Sequence, residues 1–443
     1  MTTKHLLMTL SRYTYLFERE GTNLLYSSRS NNFYKIPGDF ADLLSRIDEV
    51  DEAALSEDER EAINALRDAK VIVDSAEEDD RYVEELHLAH LMSSMNRSHV
   101  GLTILPTIQC NLGCPYCFEG QKRSGMMDEA TADAVVEFIG QHQLAKGYSI
   151  SWFGGEPLLG IGIMKYLLDK LSGLDKLKRT SHSIVTNGTL LNDSAIALFK
   201  QYPLDSIQIT FDGLEDAHNS KRFFVSGNGG SYDLILSNLD RFVRECPDTN
   251  VSLRFNVDKS NSDDYRRFAE MIAKRYTGSK VSTYPALLRK TEGCSTYSYF
   301  TMADSVKFHK TLRNRNGVTN WYPSPQWKGC TATCASSYVI GPEGEIYRCW
   351  EHVGKEDKII GNIKDEHYSN QKLYVDFLMH GHPFNDPRCR DCGLLPICNG
   401  GCPDRRLAAK DENDRVNLCD MLNHDNGRAL EDFLYDYYLT LNK

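Results

Sequence analysis

Between Val100 and Leu287, six short apolar runs alternate with stretches of helical period, which leaves few folds open to this part of the chain. The runs are "VGLTILPTI", "YSISWFG", "SHSIVTN", "DSIQITFDG", "NVSLRFNVD" and "KVSTYPAL". Between them lie "ATADAVVEFIGQHQ", with Asp128 near its start, then "IMKYLLDKLSGL", "DSAIALFKQY", "YDLILSNLDRFVREC" and "DDYRRFAEMIAKRY". Strands alternating with helices predict a parallel α/β barrel or open sheet, whose chemistry sits at the strand C-termini. Polar or glycine motifs follow several of those ends.

At 443 residues the chain is long enough for two or three domains. The first, residues 1–76, reads as a small winged-helix-like module. In it "YTYLFERE", "TNLLYSS" and "NFYKI" suggest an antiparallel meander, and "PGDFADLLSRI" has helical spacing. Ser56 and Glu59 form a capping box for the next helix, and "KVIVD" closes the module as a strand. Residues 77–99 are charged and read as a helical linker. The barrel spans 100–310, and 311–443 is cysteine-dense, ending in the aromatic helix "GRALEDFLYDYYLTL". A net charge of −11 argues against a general nucleic-acid binder. With no apolar h-region at the start and no run long enough to span a bilayer, the expected location is the cytoplasm, without membrane partners. Thiols stay reduced there, so 13 cysteines point to metal or cluster ligation.

After the first barrel strand comes "CNLGCPYCFEG", which places Cys110, Cys114 and Cys117 in a C-x3-C-x2-C pattern. A structural zinc site wants four protein ligands, and no fourth lies nearby at usual spacing. An iron-sulfur cluster with one iron left open accommodates three. The pattern, following the first strand of an α/β barrel, resembles the radical S-adenosylmethionine (SAM) family. That resemblance implies a partial (β/α)6 barrel whose open iron is chelated by SAM. "GGEP" (Gly154, Gly155, Glu156, Pro157) follows the second strand, where similar proteins hold the SAM amino group by backbone and by the Glu156 carboxylate. "TNG", with Thr186 and Asn187, resembles the segment lining the SAM pocket. Thr210 in "ITFDG" stands where relatives carry a serine that reaches the SAM carboxylate. Tyr116 matches the aromatic position beside the adenine, and Arg222 and Asn256 are candidates for the carboxylate and ribose. Each motif alone is also a common turn; their order after successive strands is what carries the likeness.

Towards the C-terminus, "CASSYVIGPEGEIYRC" gives C-x9-G-x4-C at Cys334 and Cys349. "CRDCGLLPICNGGC" gives C-x2-C-x5-C-x3-C at Cys389, Cys392, Cys398 and Cys402, and Cys419 follows alone. Paired zinc ribbons are the plainer reading of CxxC pairs. The whole pattern resembles the SPASM domain, an extension of radical SAM enzymes that mature peptides and proteins. That resemblance assigns Cys389, Cys392, Cys398 and Cys419 to one auxiliary [4Fe-4S] cluster. It assigns Cys334, Cys349 and Cys402 to another, with Cys330 as the candidate fourth ligand. Cys246 and Cys294 remain, and burial is the ordinary role for a lone cysteine.

As the resemblance implies, the chain is a radical SAM oxidoreductase using SAM, one open-site [4Fe-4S] cluster and two auxiliary clusters. The N-terminal module resembles the RiPP recognition element, which binds leader peptides by strand addition; a cap that shields the barrel is the alternative. The expected substrate is a precursor peptide with a leader, joined by a thioether or carbon-carbon crosslink, with a flavodoxin or ferredoxin as electron donor. An anaerobic sulfatase maturase is the alternative enzyme. Its relatives place Asp directly after the cysteine that ends C-x9-G-x4-C, where this chain has Trp350. Glu351, the next residue, is then the candidate general base. An iron-sulfur carrier or scaffold would need the C-terminal cysteines but not GGEP.

Overall fold

The structure is a computed structural model and describes residues 8–117, 125–174, 176–227, 229–288, 304, 307–308, 311–312, 329–398, 400–409 and 428–441. The chain divides into two compact units. One gathers Met1–Met95, Trp321–Cys334 and Asp376–Lys443, and the other Asn96–Asn320 and Ala335–Val375.

In the first unit, β1 (Thr9–Leu10) pairs antiparallel with β5 (Ile72–Val73), and β2 (Thr14–Arg19), β3 (Thr22–Ser27) and β4 (Asn32–Ile36) form an antiparallel sheet in that order. Ser56 and Glu59 make the reciprocal capping box that starts the helix Glu57–Asp68. Strand β3 does not alternate: Leu24, Leu25 and Tyr26 are consecutive and all fully buried. A strand apolar on both faces needs cover on both. Leu25 packs with Leu44, Ile63 and Leu66 of the N-terminal helices. Leu24 and Tyr26 pack with Leu394, Ile397, Phe433 and Leu434. The module expected at residues 1–76 therefore shares its core with the cysteine-rich segment and the helix Arg428–Leu441. The helix Ala76–Ser94 is likewise more than a linker, since Tyr82, Val83 and Leu86 are buried with Tyr13, Phe384 and Leu395.

In the second unit, β6 (His99–Thr107), β7 (Gly147–Gly154), β8 (Lys178–Thr186), β9 (Ser206–Phe211), β10 (Asn250–Val257) and β11 (Val281–Leu287) are six neighbouring parallel strands of a nine-stranded sheet. All six coincide with the apolar runs. β12 (Ser337–Ile340) adds parallel to β6, and β13 (Glu345–Tyr347) and β14 (Gly361–Asn362) follow antiparallel. Residues 335–375 thus extend the barrel sheet, where sequence reading had placed them in the C-terminal domain. Alternation sorts the two faces. Ile150, Trp152, Ile207, Ile209, Leu253 and Phe255 are buried in the core with Leu167 and Leu171 of the helix Ile161–Leu171 and with Ile235, Leu239 and Phe242 of the helix Tyr232–Glu245. The opposite face carries Ser151, Gln208, Thr210, Arg254 and Tyr284, whose hydroxyl donates to Gln208 Oε1 at 2.6 Å. One face of the sheet is therefore a polar interior able to receive a ligand.

Candidate active site at the strand C-termini

The loop carrying Cys110, Cys114 and Cys117 leaves β6 and is pinned from two directions. Gly113 N–H donates to Phe223 O at 2.8 Å and Val225 N–H to Asn111 O at 3.0 Å. On the other side, Asn187 Nδ2 donates to Asn111 Oδ1 at 2.8 Å, and Asn111 Nδ2 donates to Thr189 Oγ1 at 2.8 Å. All three thiols are half-buried. Cys110 Sγ accepts from Leu112 N–H at 3.4 Å and from Asn187 Nδ2 at 3.8 Å. Among the described residues, no three His, Cys, Asp or Glu side chains gather into a cage for a single metal ion. A cluster makes a different demand, one thiolate on each of several irons. The donor set of this loop fits that demand.

The GGEP turn follows β7. Gly154 has φ +120°, and a Cβ there would lie 2.2 Å from Thr107 O. At Gly155 it would lie 2.2 Å from Gln109 O. Only glycine lets this turn lie against the backbone that enters the cysteine loop. Glu156 N–H donates to Gln109 O at 2.8 Å, and Pro157 opens the short helix Pro157–Gly160.

The expectation that the Glu156 carboxylate faces a ligand needs revision. The side chain is fully buried, and burial pushes its carboxyl up. Its Oε1 accepts from Thr186 Oγ1 at 2.7 Å and Leu158 N–H at 3.1 Å, and its Oε2 from Asn187 N–H at 2.8 Å. Glu156 and Thr186 thus tie the ends of β7 and β8 together, and Asn187 braces the cysteine loop.

Three residues singled out in the sequence meet around one that was not. Asp212, the residue after β9 in "ITFDG", is fully buried. Tyr116 donates its hydroxyl to Asp212 Oδ2, and Asn256 Nδ2 donates to Asp212 Oδ1 at 2.9 Å. Arg222 Nη1 donates to the Tyr116 hydroxyl at 3.0 Å and lies 3.8 Å from Asp212 Oδ1. Burial pushes the Asp212 carboxyl up against the pull of Arg222, and it raises Tyr116 well above the ordinary phenol range, with Asp212 adding to the effect. Burial works against the Arg222 cation, but Tyr116, Cys114 and Asp212 outweigh it and hold the guanidinium charged. Arg222 Nε, buried, has no hydrogen-bond partner among the described residues. A fixed cation with an unspent N–H suits a carboxylate. Thr210 lies on the polar face of β9, in register with Arg254 of β10.

Cys349, Trp350 and Glu351 begin at the end of β13. The Trp350 ring is 47% exposed and stacks on Phe153, with ring centroids 5.7 Å apart, directly before the GGEP turn. Glu351 is exposed on the short helix Trp350–His352. In the first unit, Cys334 Sγ donates to Cys330 O at 3.6 Å, and Arg406 Nη2 donates to Cys389 Sγ at 3.5 Å. Cys392 and Cys398 pack at the edge of the Leu24 and Phe433 cluster. Cys246 is half-buried at the end of the helix Tyr232–Glu245, where burial pushes its thiol up. Cys294 and Cys419 lie outside the described residues. No helix among the described residues is long and apolar enough to cross a membrane.

Residues 104–272 match the Radical SAM superfamily. The serine-type anaerobic sulfatase-maturating enzyme of Klebsiella aerogenes is 26% identical over 324 residues, 68% of this chain and 78% of that protein. Among solved structures, anSMEcpe with bound AdoMet and Kp18Cys peptide is similar with TM-score 0.59 at 20% identity, over 77% of this chain and 98% of that one. SuiB of Streptococcus suis bound to precursor peptide SuiA is similar with TM-score 0.51 at 16% identity, over 89% of this chain and 95% of that one.

Proposed function

We propose that this chain, whose residues 104–272 carry a radical SAM domain, is a radical SAM/SPASM maturase that oxidatively modifies a ribosomally made precursor peptide. The observation that carries the reading is the pairing of a half-buried three-thiol loop with the Tyr116, Asp212, Arg222 and Asn256 network at the C-terminal ends of parallel strands. Cys110, Cys114 and Cys117 would hold the open-site [4Fe-4S] cluster. When bound, that cluster and SAM supply a 5'-deoxyadenosyl radical able to take hydrogen from an unactivated carbon. Arg222, fixed by Tyr116 and Asp212, offers its Nε–H to the SAM carboxylate. The GGEP and TNG turns present backbone to the SAM amino group and ribose. Burial of this network excludes water from the polar interior, which protects a reactive intermediate from side reactions.

Cys330, Cys334, Cys349 and Cys402, and Cys389, Cys392, Cys398 and Cys419, would hold two auxiliary clusters as electron acceptors. A flavodoxin or ferredoxin would supply the initiating electron in the cytoplasm. The antiparallel sheet β2-β3-β4 would take the leader as an added strand, since among the described residues β2 and β4 pair on one side only. The product would be a thioether or carbon-carbon crosslink.

The similarity to a sulfatase-maturating enzyme favours a second reading, formylglycine formation. Against it, the position after Cys349 holds Trp350, stacked on Phe153, and Trp350 cannot accept a proton as an Asp would. Co-expression with a short peptide encoded beside the gene tests both. Crosslinking removes two hydrogens and leaves the product inert to an aldehyde-reactive probe. A hydrazide-reactive product would instead establish formylglycine, and an unmodified peptide alongside a turned-over sulfatase fragment would reject the proposal.

A further inference from the structure

The polar interior face of the parallel sheet changes character across its width. On β6, β7 and β8, Thr103, Ser151 and Ser183 stand abreast in register, and all three are short and uncharged. On β9, β10 and β11, Thr210, Arg254 and Tyr284 stand abreast. Arg254 thus brings a charge among hydroxyls. It lies two residues before Asn256, on the same side of β10 and about 7 Å further from the strand's C-terminal end. Arg254 Nε donates to Asn256 Oδ1 at 2.9 Å, and Asn256 in turn donates to Asp212. The guanidinium is therefore the next layer inward from the Tyr116, Asp212 and Arg222 network. Groups that react must come within contact distance, so a substrate attacked from that network would lie against this layer.

The other cations at these strand ends have carboxylates. Lys221 Nζ lies 2.6 Å from Asp258 Oδ2, and Arg222 Nη1 lies 3.8 Å from Asp212 Oδ1. Arg254 is half-buried and has no carboxylate within ion-pair reach among the described residues. Its Nε–H goes to a neutral amide, which holds the guanidinium in place without neutralising it. An unmatched charge taken partly out of water is a net cost to the fold. Beside it, the Tyr284 hydroxyl donates to Gln208 Oε1 at 2.6 Å, so the Gln208 amide is turned to present its Nε2 donors. Burial pushes the Tyr284 phenol up while Arg254 pulls it down, which marks how near the cation lies to this pair. A guanidinium and an amide N–H on adjacent strands suit a carboxylate.

We propose that Arg254, with Gln208 held by Tyr284, is the specificity-determining residue of the substrate site and takes a carboxylate of the peptide, an Asp or Glu side chain near the carbon that loses hydrogen. The assignment rests on the peptide-maturase reading above and deepens it, since the substrate is then acidic at its modified segment. The ion pair would fix the register of the peptide, so that one carbon faces the radical, and would give Arg254 its counter-charge.

The test uses the full chain, reconstituted anaerobically, and the short peptide encoded beside its gene, with each Asp and Glu of that peptide changed in turn to its amide. With the wild type, one amide variant is expected to need at least about tenfold more peptide for half-maximal modification. Arg254→Gln is expected to show the same rise with the parent peptide and no further rise with that variant, and Arg254→Lys to recover part of it. Arg254→Glu should regain modification when the same peptide position carries Lys. Equilibrium binding of SAM separates the two carboxylates that could meet Arg254. SAM affinity is expected to hold in Arg254→Gln; a loss of about tenfold there, with the peptide response unchanged, would assign the residue to SAM and overturn the proposal. A modified peptide without acidic residues, or amide variants processed like the parent, would overturn it on the wild type alone, whether or not an Arg254 variant folds. A peptide that the wild type leaves unmodified would overturn the maturase reading and this assignment together.

Discussion

At the scale of single residues, the site is organised by Asp212, and this gives a ranking that mutants can check. Asp212→Asn leaves Arg222 buried without its counter-charge, a loss expected to cost about 3 kcal/mol. Tyr116→Phe removes one hydroxyl from the same network and is expected to cost about 1 kcal/mol. Urea unfolding midpoints with unchanged slope would verify the order, and equal midpoints would show that the network is not a unit. Tyr116, Arg222 and Asn256 are named only through the resemblance, Tyr116 by its place between two cysteines of the C-x3-C-x2-C stretch. Asp212, inside "ITFDG", is not legible as a site residue, because nothing in a strand-end Asp reveals that Tyr116, Arg222 and Asn256 converge on it. Glu156 shows the opposite failure. Its motif was legible, but its orientation depends on Thr186 and Asn187, which lie 30 and 31 residues further on.

At the scale of elements, the parallel strands β6 to β11 were legible because each carries an apolar run, a helix follows each of the first five, and the helix-facing side of the sheet is largely hydrophobic. One polar pair interrupts that side. Trp152 of β7 donates its indole N–H to His182 Nε2 of β8 at 2.7 Å, and His182 Nδ1 lies 3.1 Å from Pro203 O. Burial pushes His182 down to about 4, so the ring is neutral in the folded state. The unfolded chain binds a proton near pH 6.5, the folded one only near 4. Stability contributed by this site is therefore full above pH 6.5 and lost as pH falls towards 4, by about 3 kcal/mol in all. Urea unfolding at pH 7 and pH 5 should show this slope in the wild type and a shallower one in His182→Gln. Identical slopes would remove His182 from the account. The extension β12-β13-β14 was not legible, since three short strands without a partner helix carry no periodic signal.

At the scale of the whole molecule, the consecutive buried Leu24, Leu25 and Tyr26 were the sign that the N-terminal module is not free-standing. Membership of an antiparallel meander does not by itself show it. Its second face is covered by residues some 370 positions or more away in sequence, Leu394, Ile397, Phe433 and Leu434. Removing residues 1–75 is therefore expected to strip cover from the cysteine-rich segment, and not only to abolish peptide recognition. Iron should fall from about twelve per chain to about four. A truncated chain that keeps all its iron would restore the picture of separable domains.

The measurement that bears most directly on the central claim is 5'-deoxyadenosine release by the anaerobically reconstituted chain given reductant and SAM, with Cys114→Ala as comparison. The account predicts release by the wild type, and loss of release in the variant while auxiliary iron persists. Full iron content with no cleavage of SAM in the wild type would contradict it and leave an iron-sulfur carrier or scaffold.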